Sequence, residues 1–326
     1  MVSAYFRKAA RRHATTSDMH NSIACHNHQI STKGSICQGV FWLRKAICLI
    51  MISVLIAALS LAAPSPVEAE MAAPGPSSPM KFDDSMSVGS GGKALGKPVT
   101  GSKWALVIGI ADYQGTSSDL WHPDEDAKEM YTELTRQQGF PKANVKLLTT
   151  RAATATAIAS AIDWLVASEK AGNEVVFFYS GHGSRISDAD EWDADVEADG
   201  YNEMIVSYDF YGLTDGWLKQ KFAAIESTKF ALMFGSCHSG GMFDDNDDLQ
   251  GVGRVIVSAC KADQYGWDYL ALGNTLWGYH FVDEALLDNR AGSTEAAHSY
   301  AYPLVTAQQP DSQPQLYDNY AGDFTL

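Results

Sequence analysis

The chain has 326 residues, of which 46% are hydrophobic and 19% charged, a composition that excludes a disordered or fibrous protein. Residues 1–45 hold seven Lys/Arg and one acid, whereas the remainder holds 17 basic and 38 acidic residues, a net charge of −21. Such a surface repels nucleic acid, so we expect no nucleic-acid partner. It favours cationic ligands, such as basic peptides or metal ions.

The first 69 residues predict a targeting segment. Arg44 and Lys45 precede an apolar run over 46–63, and small residues follow with a cleavage-type tripeptide at 67–69. The run is long for a signal peptide and short for a membrane span. We therefore expect export, to the periplasm or the medium. An uncleaved anchor that tethers the protein to a membrane through 46–63 is the alternative.

Residues 70–102 are rich in Pro, Gly and Ser and predict a flexible linker, which leaves 103–326 as one folded domain. Continuous apolar runs in this domain predict buried strands at 104–110, 144–150, 174–180, 230–236 and 254–260. Apolar residues at helical spacing predict helices around 127–134, 158–165, 218–225 and 276–287, and the C-terminal residues predict an edge strand. The alternation predicts an α/β fold with a mainly parallel sheet.

Two of the predicted strands end in turns that carry reactive side chains. One ends in Ser-Gly-His-Gly, with His182, and another in Gly-Ser-Cys-His, with Cys237. If these strands are neighbours, both side chains lie at the carboxyl edge of the sheet, where α/β proteins place their sites. An imidazole beside a thiol is typical of nucleophilic catalysis, and the N–H groups of Gly183 and Cys237 are candidate oxyanion donors.

Each residue also has a purely structural interpretation. Cys237 suits a buried strand end and His182 a hydrogen-bonded turn, but their joint occurrence beside glycines favours catalysis. His238 is adjacent to Cys237 in sequence, but neighbouring side chains diverge in extended chain. We therefore interpret His238 as a loop residue that shapes the turn.

The segments "YSGHG" and "SCHSG", together with "ALVIGIADYQ" and "SACKADQYGWD", resemble the caspase-like cysteine peptidases, most closely metacaspases and their prokaryotic relatives. The similarity covers essentially all of 103–326. It implies a three-layer sandwich in which helices flank a caspase-like, mainly parallel six-stranded sheet. It also implies that a Cys237–His182 dyad hydrolyses peptide bonds in peptide or protein substrates, without a cofactor in the chemical step. We expect a monomer.

The resemblance further implies a preference for Arg or Lys before the scissile bond. The matching substrate-binding positions are Asp126, Ser180 and Gly235. Metacaspases have aspartate where this chain has Gly235. One carboxylate instead of two weakens the hold on a guanidinium, so a non-basic preference is the alternative.

Two acidic runs, 187–200 and 243–248, predict mostly solvated loops. Many metacaspases are activated by calcium, and the resemblance places the calcium positions at Asn202, Asp215, Gly216 and Asp244. We therefore expect Ca²⁺ as an activator. A catalytically weak, calcium-dependent interaction module is the alternative to an active peptidase.

Overall fold

The computed structural model describes residues 101–115, 117–188, 197–244 and 248–326. The predicted targeting segment, nearly all of the predicted linker and part of each acidic run lie outside these residues. Within the described ranges, no helix is both long enough and apolar enough to cross a membrane.

Six strands form the central sheet: β1 (Lys103–Gly109), β2 (Val145–Thr149), β3 (Glu174–Ser180), β7 (Phe230–Gly235), β8 (Arg254–Ser258) and β11 (Gln315–Asp318). Their order across the sheet is β11-β8-β7-β3-β1-β2. Neighbouring strands are parallel except at the edge, where β11 runs antiparallel to β8. All six correspond to predicted strands, and the predicted α/β class is confirmed.

Helices cover both faces of this sheet, because successive residues of each strand point to opposite sides. In β1, Leu106 and Ile108 pack on one helical layer, and Ala105 and Val107 on the other. The first layer contains α2 (Ala155–Ser168) and α3 (Asp215–Phe222). The second contains α1 (Pro123–Arg136), the short α4 (Leu276–Gly278) with the π-helical segment Tyr279–Leu287, and α5 (Thr294–Gln308).

Local sequence sets where several helices begin. Pro123 occupies the start of α1, and three acidic residues follow in its first turn. The side chains of Thr154 and Thr214 cap α2 and α3 by accepting a hydrogen bond from a backbone N–H of the first turn.

Two small sheets lie outside the central one. A three-stranded antiparallel sheet contains β4 (Gly183–Ser187), β5 (Tyr201–Val206) and β6 (Gly212–Thr214), and a hairpin contains β9 (Asp268–Tyr269) and β10 (Asn274–Thr275). Neither sheet was predicted. The three-stranded sheet begins at the last glycine of the Ser-Gly-His-Gly turn, and the hairpin follows β8 in the chain.

Candidate active site

The turns after β3 and β7 meet at one edge of the sheet. Ser180 and Gly235 are paired in register, and His182 and Cys237 each lie two residues beyond this pair. Both line one cavity of about 300 Å³. The structure therefore brings together the two side chains that the sequence singled out.

The backbone of His182 is held between two buried tyrosines. Its N–H donates to the hydroxyl of Tyr113 at 2.7 Å, and its carbonyl accepts from the hydroxyl of Tyr179 at 2.6 Å. A side chain at Gly181 would meet both hydroxyls, at 2.7 and 2.8 Å from its Cβ. Glycine at this position therefore allows the two tyrosines to fix the peptide that carries the histidine.

The ring of His182 is oriented by a backbone carbonyl. Its Nε2 lies 2.8 Å from the carbonyl oxygen of Ser118, and the ring of Tyr113 packs on it at 4.6 Å between centroids. A carbonyl can only accept, so Nε2 carries the proton and Nδ1 is left as the acceptor. Burial lowers the pKa of His182, although Ser118, Asp268 and Asp119 all act to raise it.

The thiol of Cys237 is partly buried. Its Sγ is 3.6 Å from the carbonyl oxygen of Gly266. Burial raises the pKa of Cys237 to about 11. The thiol pKa thus lies above that of the lowered imidazole, so both groups are neutral at pH 7.

His238 is turned into the loop that follows β8. Its N–H donates to the carbonyl of Gln264 at 2.9 Å, and its Nδ1 lies 2.6 Å from the carbonyl oxygen of Ala262. The residue has a φ of 58°, in the left-handed region that most side chains avoid. These bonds hold the turn after Cys237, in agreement with a role in shaping it.

Gly183 packs directly on the peptide of the cysteine. A Cβ at this position would overlap the carbonyl oxygen of Cys237 and lie 2.9 Å from the hydroxyl of Ser236. The two predicted oxyanion donors therefore belong to backbone segments in contact with each other.

Of the predicted substrate-binding residues, Gly235 lines the cavity. Asp126 and Ser180 are fully buried, and the hydroxyl of Ser180 donates to the Asp126 carboxylate at 2.7 Å. A Cβ at position 235 would lie 3.1 Å from the six-membered ring of Trp277. The indole therefore occupies the space into which a larger side chain at 235 would extend.

The predicted calcium positions lie beside a buried carboxylate. Asn202 and Asp215 are buried, and Asp215 accepts from the N–H groups of Glu203 and Gly216 at 3.0 and 2.8 Å. Burial, then the charge of Asp244, raises the pKa of Glu203 to about 9. Neither oxygen of Glu203 has a hydrogen-bond partner in the described part of the chain. No three His, Cys, Asp or Glu side chains within these ranges already converge on a metal position.

Comparison with known proteins agrees with this geometry. The family model of the caspase domain, Peptidase_C14, matches residues 102–301. The chain belongs to the caspase-domain family. It is a metacaspase-like member, which confirms the resemblance inferred from the strand-end motifs.

Curated relatives of this caspase-domain protein include metacaspases from plants and fungi. Metacaspase-6 of Arabidopsis thaliana is 32% identical over 150 residues, which cover 44% of this chain and 40% of the relative. Metacaspase-1A of Aspergillus oryzae is 33% identical over 156 residues, covering 44% and 36%. The chain thus spans about two fifths of the length of these relatives.

A solved structure supports the fold of the caspase domain. Protein GSU0716 from Geobacter sulfurreducens superposes with a TM-score of 0.55 at 20% identity, over 69% of this chain and 97% of that protein. At this identity the likeness concerns the fold alone.

Four residues around this caspase-domain cavity were not singled out from the sequence. Tyr113 and Ser118 hold His182, while Trp277 and Asp268 line the cavity beside Cys237. Asp268 is the last residue of "SACKADQYGWD". An acidic residue in a segment that resembles the family could have been recognised from the sequence as a candidate site residue. Nothing in the local sequence of Trp277 indicates that its ring covers Gly235.

The neutral thiol leads to a pH prediction. Because the pKa of Cys237 is about 11, the thiolate fraction should rise about tenfold between pH 8 and pH 9. Iodoacetamide should alkylate Cys237 about tenfold faster at the higher pH, as followed by peptide mass spectrometry. Cys260, fully buried with a pKa of about 12, is the internal control and should react far more slowly. A rate that is already constant between pH 7 and 8 would contradict the neutral pair.

Proposed function

We propose that the domain is a cysteine endopeptidase in which Cys237 is the nucleophile and His182 the general base and acid. The observation that carries the proposal is the placement of both side chains in one cavity, at the ends of two paired strands. Family membership supports the reaction class.

In this mechanism, Nδ1 of His182 takes the thiol proton as Sγ of Cys237 attacks the peptide carbonyl carbon. The N–H groups of Gly183 and Cys237 donate to the oxyanion that develops. The imidazolium then protonates the leaving amine, and a thioester remains on Cys237. Water, deprotonated by His182, hydrolyses this thioester and regenerates the thiol.

We further propose that the peptidase prefers Arg or Lys before the scissile bond. Two carboxylates, Asp119 and Asp268, line the cavity beside the proposed nucleophile. The acidic surface of the chain beyond residue 45 attracts basic substrates. A non-basic preference is the second candidate, because the indole of Trp277 gives the pocket an apolar wall next to Gly235.

A panel of fluorogenic peptides that end in Arg, Lys, Gln, Asp or Leu tests this function. The wild type should cleave after Arg and Lys, and Cys237→Ala should cleave none of them. Cleavage by Cys237→Ala at the wild-type rate would refute the nucleophile. Cleavage after Leu or Gln alone would favour the second candidate.

Calcium activation is a proposal that the carboxylates near Glu203 support. Asn202, Asp215 and Asp244 would hold the ion, and oxygen ligands of this kind suit Ca²⁺. A bound cation would neutralise the buried carboxylates, whose raised pKa values show that they are poorly compensated. Glu203 also packs against Gly241, in the turn after Cys237, so ion binding would order the chain that carries the nucleophile.

Isothermal titration tests the calcium proposal. Calcium should bind to the wild type and raise peptidase activity, whereas Glu203→Gln should bind about tenfold more weakly because glutamine cannot release a proton to become a carboxylate beside the cation. Absence of heat and of any change in activity would remove the proposal. Binding of calcium by a protein that cleaves no peptide would instead favour the interaction module.

Export of the protein, with the domain released or held at a membrane through 46–63, remains our proposal for its location. Those residues lie outside the described part of the chain.

We also propose that the domain works as a monomer. Size-exclusion chromatography with light scattering of the exported form would test both the processing and the oligomeric state.

A further inference from the structure

Asp126 is fully engaged in holding the wall of the cavity. Its Oδ1 accepts from the side chain of Asn274 and the N–H of Thr275, both at 3.1 Å. Its Oδ2 accepts from the hydroxyls of Ser180 and Thr275, both at 2.7 Å. A carboxylate has about four lone-pair sites, so all the sites of Asp126 are occupied.

The carboxylate of Asp126 is also closed off from the cavity. It is 0% exposed, and burial raises its pKa to about 8, although the four donors lower it. Removing these donors to admit a guanidinium would leave buried polar groups unsatisfied, which is unfavourable. Asp126 thus suits a structural role, in which it fixes the residue of the cavity wall, Thr275.

Position 235 offers no carboxylate, and a Cβ there would already be in tight contact with Trp277 and Ser180. The ring of Trp277 stacks on Phe281 at 4.5 Å between centroids and lies nearly parallel to Phe178 at 6.2 Å. This aromatic stack holds the indole against Gly235. The negative charge that would face a basic substrate must therefore come from one of the two carboxylates that line the cavity, the exposed Asp119 or the more buried Asp268.

Asp268 has the placement that this role needs. It lines the cavity together with Cys237 and Thr275, and its charge acts on His182. Its Oδ2 accepts from the N–H groups of Trp121 and His122, while Oδ1 accepts from Nδ1 of His122 at 3.2 Å. These bonds fix the carboxylate in place and leave one lone-pair site of Oδ1 for a ligand.

We propose that Asp268 contacts the cation of the Arg or Lys side chain before the scissile bond, and that Asp126 only positions the pocket wall. This inference rests on the proposed peptidase function. Because Asp268 is held by the segment before α1, it needs no rearrangement to receive a cation. A single charge-assisted hydrogen bond, beside the aromatic wall of Trp277, then replaces recognition by two carboxylates.

The experiment compares kcat/KM for two peptides that differ only in Arg or Gln before the scissile bond. In the full-length protein, Asp268→Asn should lower the Arg-to-Gln ratio by about 30-fold, as expected for loss of one charged hydrogen bond. Asp126→Asn should lower the rates for both peptides together and change the ratio less than threefold. Asp311→Asn, at an exposed residue, controls for net charge and should match the wild type.

A second pair of variants keeps the test decisive if Asp268→Asn misfolds. Asp268→Glu and Asp268→Gln have the same shape and differ only in charge, so their Arg-to-Gln ratios should differ at least tenfold. Equal ratios in these two, or an unchanged ratio in Asp268→Asn, would overturn the inference while the peptidase function stands. If the wild type cleaves neither peptide, the function fails and the inference fails with it.

Discussion

Replacing His182 by alanine is expected to lower kcat/KM for a peptide with Arg before the scissile bond by about 10³-fold. The thiol has a pKa of about 11 and is neutral at pH 7.5, so its attack needs a base that takes the proton, and the imidazole is that base. Because the rest of the cavity wall is unchanged, the loss should fall on kcat, with KM within about threefold of the wild type.

His238→Ala is the matched control, since it removes a second imidazole next to the same cysteine. His238 is hydrogen-bonded to the loop carbonyl of Ala262, so its loss should reduce kcat/KM less than tenfold. Stopped or continuous fluorescence assays at pH 7.5 give both values, and thermal melting confirms folding. Equal losses in the two variants would mean that His182 is not the base.

The layered fold could be predicted from the sequence because its signal is local. Continuous apolar runs form most of β1, β3 and β7, and apolar residues at helical spacing mark α1, α2 and α3. Helix α5 was not predicted. The π-helical segment Tyr279–Leu287 lies within a helix that the sequence predicted. A π-helix, with its i→i+5 hydrogen bonds, presents its apolar residues on one face much as an α-helix does. The strands β4 and β9 were missed because they are short and polar, and pairing partners rather than propensity stabilise them.

The reactive pair could be predicted from the sequence, but its surroundings could not. His182 and Cys237 end strands that neighbour each other, and this follows from the motif order and the sheet rule. Tyr113 and Ser118 hold His182 by hydrogen bonds. Both belong to the loop after β1, and the course of that loop could not be predicted from local sequence. Likewise, the packing of Trp277 against Gly235 depends on how the second helical layer sits on the sheet.

Gly183→Ala should lower kcat/KM by about 10²-fold, although it removes no reactive group. The added Cβ would overlap the carbonyl oxygen of Cys237, so either β4 or the cysteine turn must move. A displacement of about 1 Å at a reacting group can cost about 10²-fold in rate. Either movement displaces one of the proposed oxyanion donors, the N–H groups of Gly183 and Cys237, relative to the other, so kcat should fall more than KM rises.

Gly292→Ala is the control for this substitution, because a Cβ at Gly292 meets no atom within 4 Å. It should leave kcat/KM within about twofold of the wild type. Alkylation of Cys237 by iodoacetamide at pH 8.5 separates the two possible movements. A changed alkylation rate in Gly183→Ala indicates a displaced cysteine turn, whereas an unchanged rate with lost turnover indicates a displaced β4. Wild-type turnover in Gly183→Ala would show that contact between these two segments is not required for catalysis.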